Sequence, residues 1–392
     1  MKEFLEGSIA VARAIKLCKP GVISAYPITP QTHMVEELAQ MVADGELEAQ
    51  FVNVESEHSA ASVVLGAVAT GVRVYTATSS QGLLYMAEVL FNIAGLRLPV
   101  ILTCANRAIS APINIWNDQQ DSVSMRDTGW IQFYAENIQE VVDLHLLGYR
   151  LGEDKSIMLP VMVCMDGYIL THGIETVDIP SQELVDRFLP AYKPLYKLDT
   201  EDPITMGLLA DPDYYMETRY AIQETHKDAI KLIPKLALDF NKVFGRQYNG
   251  LIEEYRTKDA ERVIVAMGSV CGTIKEVVDG LRTKGKKVGL LKITTYRPFP
   301  HQEIYEALKD IPKVAVIDRA LSLGSYAPLA SEIKAVFFSK KKKPQVISSF
   351  IVGLGGRDIT RDSIKETFRL LNQKEKTCEF IDLKPELLKE NL

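Results

Sequence analysis

Residues 23–32 read Ile-Ser-Ala-Tyr-Pro-Ile-Thr-Pro-Gln-Thr. An apolar strand pattern ends at Tyr26, two prolines follow, and a helical pattern begins near Gln31. Pro27 and Pro30 each fix φ at about −65° and push the residue before them out of the helical region. The backbone from Tyr26 to Thr32 is therefore stiff, and it presents the Thr29 hydroxyl at the end of a strand. In open α/β sheets that end is where ligands sit. On pattern alone, an ordinary strand-to-helix turn explains the same residues.

Outward from this stretch, residues 1–165 alternate short apolar runs with helical ones. Val22–Ala25, Gln50–Val54, Val72–Ala77, Leu98–Cys104 and Leu159–Cys164 read as buried strands. Gln31–Ala43, His58–Ala69 and Leu83–Ile93 read as helices stopped by Gly45, Gly71 and Gly95, each placed as a C-cap. Such alternation predicts an α/β domain with a mainly parallel sheet covered on both faces. From 166 to 255 the strand signal fades, prolines recur, and a long helix is predicted over Asp213–Val243. This stretch reads as a wrapping extension whose helix packs on another subunit or caps its own domain. A second α/β unit begins near Glu261, with strands at Val263–Met267, Lys287–Lys292, Val314–Ile317 and Val346–Ile351. Its helices are expected at Thr273–Thr283, His301–Leu308, Tyr326–Phe337 and Ser363–Leu371. The domains are thus placed at 1–255, with 166–255 as the extension, and at 256–392.

Bulk properties exclude several classes. With 392 residues, two domains are expected. A net charge of −6 leaves no basic footprint for nucleic acid, and the run Lys340 to Lys343 reads as a solvated turn. No apolar run approaches the roughly 20 residues of a membrane span. The N-terminal stretch carries Glu3, Glu6 and Arg13, unlike a secretory signal. A cytoplasmic protein is expected. Cys18, Cys104, Cys164, Cys271 and Cys378 are scattered without a C-x-x-C pair, so neither an iron–sulfur cluster nor structural zinc is expected on this chain.

Three further segments carry possible chemistry. Glu55-Ser56-Glu57-His58-Ser59 follows a buried strand and opens a helix. Carboxylates there are favoured by the helix dipole, but one at the edge of an apolar site can also exchange a proton near neutral pH. Thr78-Ser79-Ser80-Gln81-Gly82-Leu83 places small polar residues between a strand and a helix. Either backbone N–H groups there face a ligand, or Ser79 or Ser80 simply caps the helix. Arg107 follows the strand Leu98–Cys104, where a guanidinium fork suits a carboxylate, although an ion-paired arginine is the commoner outcome. Gly353-Leu354-Gly355-Gly356 lacks the spacing of a dinucleotide loop.

Taken in order, Tyr26–Pro30, Glu55–Ser59, Ser79–Leu84 and Asn106–Arg126 resemble the α subunit of the pyruvate:ferredoxin oxidoreductases, within the 2-oxoacid:ferredoxin oxidoreductase family. The resemblance implies a pyrimidine-binding-type domain of a thiamine diphosphate enzyme, followed by a transketolase C-terminal-like α/β domain. It implies that Glu57, with Glu55 as its competitor, hydrogen-bonds N1′ of the cofactor's aminopyrimidine and favours the imino tautomer. It places Pro27, Ile28, Ser80 and Gln81 beside the cofactor, and Thr29 and Arg107 on the carboxylate and carbonyl side of a 2-oxoacid. The implied reaction is CoA-dependent oxidative decarboxylation, with pyruvate as the expected substrate and ferredoxin as the acceptor. Other 2-oxoacids (2-oxoglutarate, branched-chain acids, oxalate) are the alternatives.

The sequence has no Gly-Asp-Gly motif with a downstream Asn: Asp44-Gly45 and Asp166-Gly167 are preceded by Ala43 and Met165. A β subunit is therefore expected to supply the diphosphate and Mg²⁺ site. The resemblance implies further subunits of γ and δ type that supply the CoA-related domain and the 4Fe–4S clusters. Two rival readings are a pyrimidine-domain component of a 2-oxoacid dehydrogenase and a non-catalytic scaffold subunit.

Overall fold

The computed structural model describes residues 2–388. In chain order the first elements are β1 (Lys2–Glu6), α1 (Gly7–Cys18), β2 (Val22–Ser24), α2 (Thr32–Ala43), β3 (Gln50–Val52) and α3 (Glu57–Ala69). Next come β4 (Val74–Thr78), α4 (Ser80–Tyr85), α5 (Ala87–Gly95), β5 (Ile101–Asn106), α6 (Gln120–Ser124) and β6 (Ile131–Tyr134). They are followed by α7 (Ile138–Gly152), β7 (Val161–Asp166), β8 (Ile174–Asp178), α8 (Gln182–Phe188) and α9 (Pro212–Phe244). The remainder comprises β9 (Ile252–Tyr255), β10 (Arg262–Ala266), α10 (Val270–Arg282), β11 (Val288–Ile293), β12 (Thr295–Arg297) and α11 (His301–Leu308). It ends with β13 (Lys313–Asp318), α12 (Pro328–Val336), β14 (Val346–Ile351), α13 (Arg361–Leu370) and β15 (Glu379–Phe380).

Two compact units result. The first spans Met1–Leu251 and takes back Thr294–Pro300; the second holds Ile252–Ile293 and His301–Leu392. The returning segment departs from the uninterrupted 256–392 domain expected from sequence. It carries β12, whose Thr295 and Arg297 pair antiparallel with Phe133 and Gln132 of β6.

The first unit is built on a seven-stranded sheet of order β12-β6-β7-β5-β4-β2-β3. All its neighbouring pairs except β12–β6 are parallel. Its central strands β4, β5 and β7 are buried along their whole length, as strands covered on both faces must be. From β2 the chain steps outward to β3, then returns to β4 on the other side of β2. That reversal opens a crevice beyond the carboxyl ends of β2 and β4, where open sheets bind ligands.

Several elements escaped the sequence pattern. β1 pairs antiparallel with β8, from Lys2 opposite Asp178 to Glu6 opposite Ile174. This pair lies at the edge of the unit with alternating exposure, so no apolar run marks it. β6 is interrupted by buried Gln132, whose amide donates to the Ser122 carbonyl at 2.9 Å. The helix expected over Leu83–Ile93 breaks at Met86 into α4 and α5. Gly95 ends α5 inside the helix; the left-handed residue is Arg97, φ 59°, held by its own side chain on the carbonyls of Ile157 and Met158. Of the two tasks weighed for the long helix, α9 performs the second: Ile222, Ala229, Ile233, Leu236 and Phe240 bury it against its own unit. Its first turns leave Tyr214, Tyr215, Met216 and Tyr220 exposed. Among the described residues, no helix is long and apolar enough to cross a membrane.

The second unit is a six-stranded sheet of order β15-β14-β13-β10-β11-β9, parallel except for β9. At the end of β13, fully buried Asp318 accepts the N–H groups of Leu329 (2.7 Å) and Ala330 (3.1 Å) at the start of α12. Burial pushes its carboxyl from 3.8 up to about 7, against the pull of these two donors. A carboxyl raised in this way takes up a proton on folding, so its stabilising contribution is full below about pH 4 and is lost as pH rises through about 7. Asp318→Asn should therefore flatten the pH dependence of the unfolding free energy between about pH 4 and 7. A urea titration series on both proteins checks this, and an unchanged slope would count against it.

Candidate active site

Four turns at the carboxyl ends of β2, β3, β4 and β5 assemble the predicted residues. In the turn after β2, Tyr26, Pro27 and Thr29 are exposed, Ile28 is half-buried and Pro30 is buried. Gln31, which no sequence signal marked, is fully buried. Its Nε2 donates to the Tyr26 carbonyl and to the Ala77 carbonyl, both at 3.1 Å, and stitches this turn to the end of β4.

After β3, Ser56 is the N-cap of α3: its hydroxyl accepts the Ser59 N–H at 3.2 Å. The next residue, Glu57, is 9% exposed. Its carboxylate lies over Gly82, where a Cβ would stand 2.7 Å from Oε1 of Glu57 and 2.5 Å from Oγ1 of Thr78. Only glycine leaves that space. Among the described residues the Glu57 carboxylate has no hydrogen-bond partner. Oγ1 of Thr78 and Nε2 of Gln81 are also buried without one. Glu55 is differently placed: it is exposed, and its carboxylate accepts the Ser59 hydroxyl at 2.5 Å, which holds it below the usual range.

The turn after β4 corrects one expectation. The Ser80 N–H does not face a ligand; it donates to Oδ2 of Asp121 at 2.9 Å. Ser80 takes left-handed backbone, φ 50°, and its hydroxyl lies 2.5 Å from two acceptors, the Ala108 carbonyl and Oε1 of Gln81, between which its one hydrogen is shared. Ser79 occupies the N-cap position of α4, but its hydroxyl donates to the Ala105 carbonyl at 2.7 Å instead of capping.

After β5, Arg107 is buried and reaches the first turn: Nη1 donates to the Thr29 carbonyl at 2.9 Å, and Nε to the Asn114 carbonyl at 3.1 Å. Thr29 and Arg107 are thus brought together through Thr29's backbone, with its hydroxyl left on the exposed side. The segment Asn114–Asp121 folds back over this end of the sheet. Asn117 and Gln119 donate to Oδ1 of buried Asp166 at 3.3 and 3.2 Å.

Asp121 is the residue the sequence hid, because Asn-Asp-Gln-Gln-Asp reads as a polar loop. It is fully buried. Oδ2 accepts the N–H groups of Ser80 (2.9 Å) and Arg107 (3.0 Å); Oδ1 accepts Asn106 Nδ2 and the Ser122 N–H, both at 2.8 Å. Burial pushes its carboxyl up to about 6, while these donors pull it down. Asp121→Asn turns an amide NH₂ toward one pair of donors. Even with Asn106 flipped to compensate, a buried N–H is orphaned at a cost of about 1–3 kcal/mol. Chemical denaturation of the variant should show that loss; wild-type stability would contradict the assigned network.

Comparison with known proteins shows the family. Residues 13–237 match the family described as pyruvate flavodoxin/ferredoxin oxidoreductase, thiamine diphosphate-binding, and residues 260–364 match pyruvate:ferredoxin oxidoreductase core domain II. The pyruvate synthase subunit PorA of Methanothermobacter thermautotrophicus is 52% identical over 377 residues, covering 96% of this chain and 97% of that protein. PorA of Pyrococcus abyssi is 49% identical, covering 99% and 100%. The ketoisovalerate oxidoreductase subunit VorA of Pyrococcus horikoshii is 45% identical, covering 93% and 92%. Among solved structures, a 2-oxoglutarate:ferredoxin oxidoreductase from Magnetococcus marinus superposes with a TM-score of 0.70 at 19% identity. That likeness covers 95% of this chain and 65% of that one and concerns the fold. With a family match over more than half its length and relatives of about half identity from end to end, the chain belongs to the pyruvate flavodoxin/ferredoxin oxidoreductases.

Proposed function

We propose that this chain is the α subunit of a pyruvate synthase-type enzyme, which converts pyruvate, CoA and oxidised ferredoxin to acetyl-CoA, CO₂ and reduced ferredoxin. The observation that carries the reading is Glu57: a largely buried carboxylate with no hydrogen-bond partner among the described residues, set over a glycine beside a second unpartnered polar group. The fold gives this carboxylate no protein partner, and the Thr78 and Gln81 atoms beside it are buried and unpartnered, where buried polar groups are ordinarily satisfied.

The residues present fit the pyrimidine half of thiamine diphosphate. When bound, the cofactor supplies the nucleophilic carbon and the electron sink that decarboxylation of a 2-oxoacid requires. Glu57 would hold or release a proton at a ring nitrogen of the bound pyrimidine. Gln81 Nε2, buried without a partner, offers a donor beside it. Ser80 acts on the cofactor side by fixing the turn, since its N–H and hydroxyl are both engaged. Pro27 and Ile28 form the stiff wall of the opposite turn. On the substrate side, Thr29 offers its hydroxyl. Arg107, anchored through Nε and Nη1, keeps Nη2 for a carboxylate oxygen.

On this reading a partner β subunit in the cytoplasm carries Mg²⁺ and the diphosphate, and other partners carry the 4Fe–4S clusters; a sequence with neither a Gly-Asp-Gly motif nor clustered cysteines is in keeping with it. Pyruvate is favoured over branched-chain acids by the higher identity to PorA than to VorA.

In the assembled enzyme, Glu57→Gln should lower kcat for pyruvate- and CoA-dependent ferredoxin reduction by about 10²–10⁴-fold, the usual worth of a general acid or base. Assembly on size-exclusion chromatography should be unchanged. Full turnover in this variant would remove Glu57 from the chemistry and favour a scaffold role. A wild-type assembly active on ketoisovalerate but not pyruvate would redirect the substrate alone. Gly82→Ala tests the site independently of charge. A methyl group there must displace the Glu57 carboxylate, so turnover should fall without loss of fold by circular dichroism; full activity would show that the carboxylate's position is not critical.

A further inference from the structure

Next to these turns, three chain segments bring together Glu6, His33 and His172, from the end of β1, the first turn of α2 and the turn between β7 and β8. Each offers one ligand atom, and the three atoms lie within 4.8 Å of one another. Oε1 of Glu6 and Nδ1 of His33 are already 2.7 Å apart. Nitrogen and oxygen ligands at about 2.0–2.2 Å from one zinc ion stand only slightly farther from each other.

The cluster is held from behind. Glu6 N-terminates the segment whose next residues, Gly7 and Ser8, donate backbone N–H groups to the carbonyls of Gly173 (3.1 Å) and Thr171 (2.9 Å). Glu6 itself is registered opposite Ile174. These bonds fix Glu6 relative to His172. The His172 ring stacks on Tyr168 at 4.8 Å and lies 4.9 Å from the His33 ring. Its Nδ1 is 2.8 Å from Oγ1 of fully buried Thr171, which also accepts the Tyr168 N–H at 2.8 Å. A ring nitrogen anchored in this manner sets the tautomer and aims the other nitrogen outward, as the outer partners of metal-bound histidines do.

We propose that Glu6, His33 and His172 form a binding site for one divalent transition-metal ion, zinc being the best match. Two imidazoles and a carboxylate suit zinc, whereas calcium and magnesium prefer all-oxygen sets. The cation takes the place of the Glu6–His33 hydrogen bond, and the partly exposed setting leaves its remaining positions to water. Its effect is to clip the first strand and the start of α2 to the turn that follows β7. The site makes no use of the thiamine-side residues, so it stands or falls separately from them.

The test is equilibrium dialysis of the full-length chain, in its assembly, against micromolar Zn²⁺, with metal counted per chain by mass spectrometry. His172→Ala and His33→Ala should each bind one zinc fewer than wild type. Glu6→Gln should weaken binding by at least about tenfold, in line with loss of a ligand or its support. Zinc should raise the thermal midpoint of wild type and leave that of His172→Ala unmoved; all of these positions are partly exposed, so the variants should fold. Equal zinc content in wild type and both histidine variants, or no zinc on wild type, would overturn the site. So would a midpoint shift shared by all the proteins.

Discussion

One buried carboxylate sets the geometry on which the active-site end of this fold depends. Asp121 gathers two backbone N–H groups on one oxygen, from the turn after β4 and the turn after β5. Its other oxygen takes Asn106 and its own helix start. Charged acceptors with several donors make strong bonds inside a protein, and removing any one member leaves the others unsatisfied. The two turns therefore cannot shift independently. Ser80 is held in left-handed backbone, and Arg107 starts from a fixed point before its side chain crosses to the Thr29 carbonyl. Gln31 completes the loop by tying the first turn to Ala77. The turns after β2, β4 and β5 thus share one rigid frame.

Within that frame, room is made by omission. Gly82 leaves the space that the Glu57 carboxylate fills, and Gly167 lets the turn after β7 pack against Pro30 and the Asn106 carbonyl, where a Cβ would collide at 2.7 and 2.4 Å. The topology supplies the rest. The step from β2 out to β3 and back to β4 opens the sheet between the turn bearing Thr29 and the turn bearing Gln81. A stiff proline-bounded wall on one side and a carboxylate-locked turn on the other leave little freedom for the groups between them. Preorganisation of that kind is how proteins avoid ordering costs at the moment of binding.

What the sequence revealed, and what it concealed, follows from the range of each interaction. β4, β5 and β7 were legible because strands buried on both faces must be apolar along their length. Glu57 stood out through a local signal, a helix-start carboxylate. Asp121, Gln31 and Asp166 did not, because a buried polar residue carries the same letter as an exposed one; only long-range partners distinguish them. β1, β8 and β12 were hidden for a related reason. Each is short, lies at an edge and is specified by its antiparallel partner more than by its own composition. Ser80 shows the limit most clearly. Its position in a site turn was readable, but the donor expected to face a ligand was already committed to a residue 41 positions later.

The distribution of unmet hydrogen-bonding capacity adds a final step. Thr76, Thr78, Gln81, Asn106 and Asn117 each retain a buried side-chain atom without a partner, as does Gln31. All six belong to β4, β5 or the turns joined to them. Each such atom costs on the order of 1–3 kcal/mol if left unpaired. A fold held together by the Asp121 network can tolerate that cost locally, because the network fixes the backbone whether or not the side chains facing the crevice are satisfied. A polar ligand at this end of the sheet would meet part of that unmet capacity. Binding energy of this origin depends on the ligand's hydrogen-bonding pattern more than on its apolar area. It therefore favours a ligand with matching donors and acceptors over an apolar molecule of the same size.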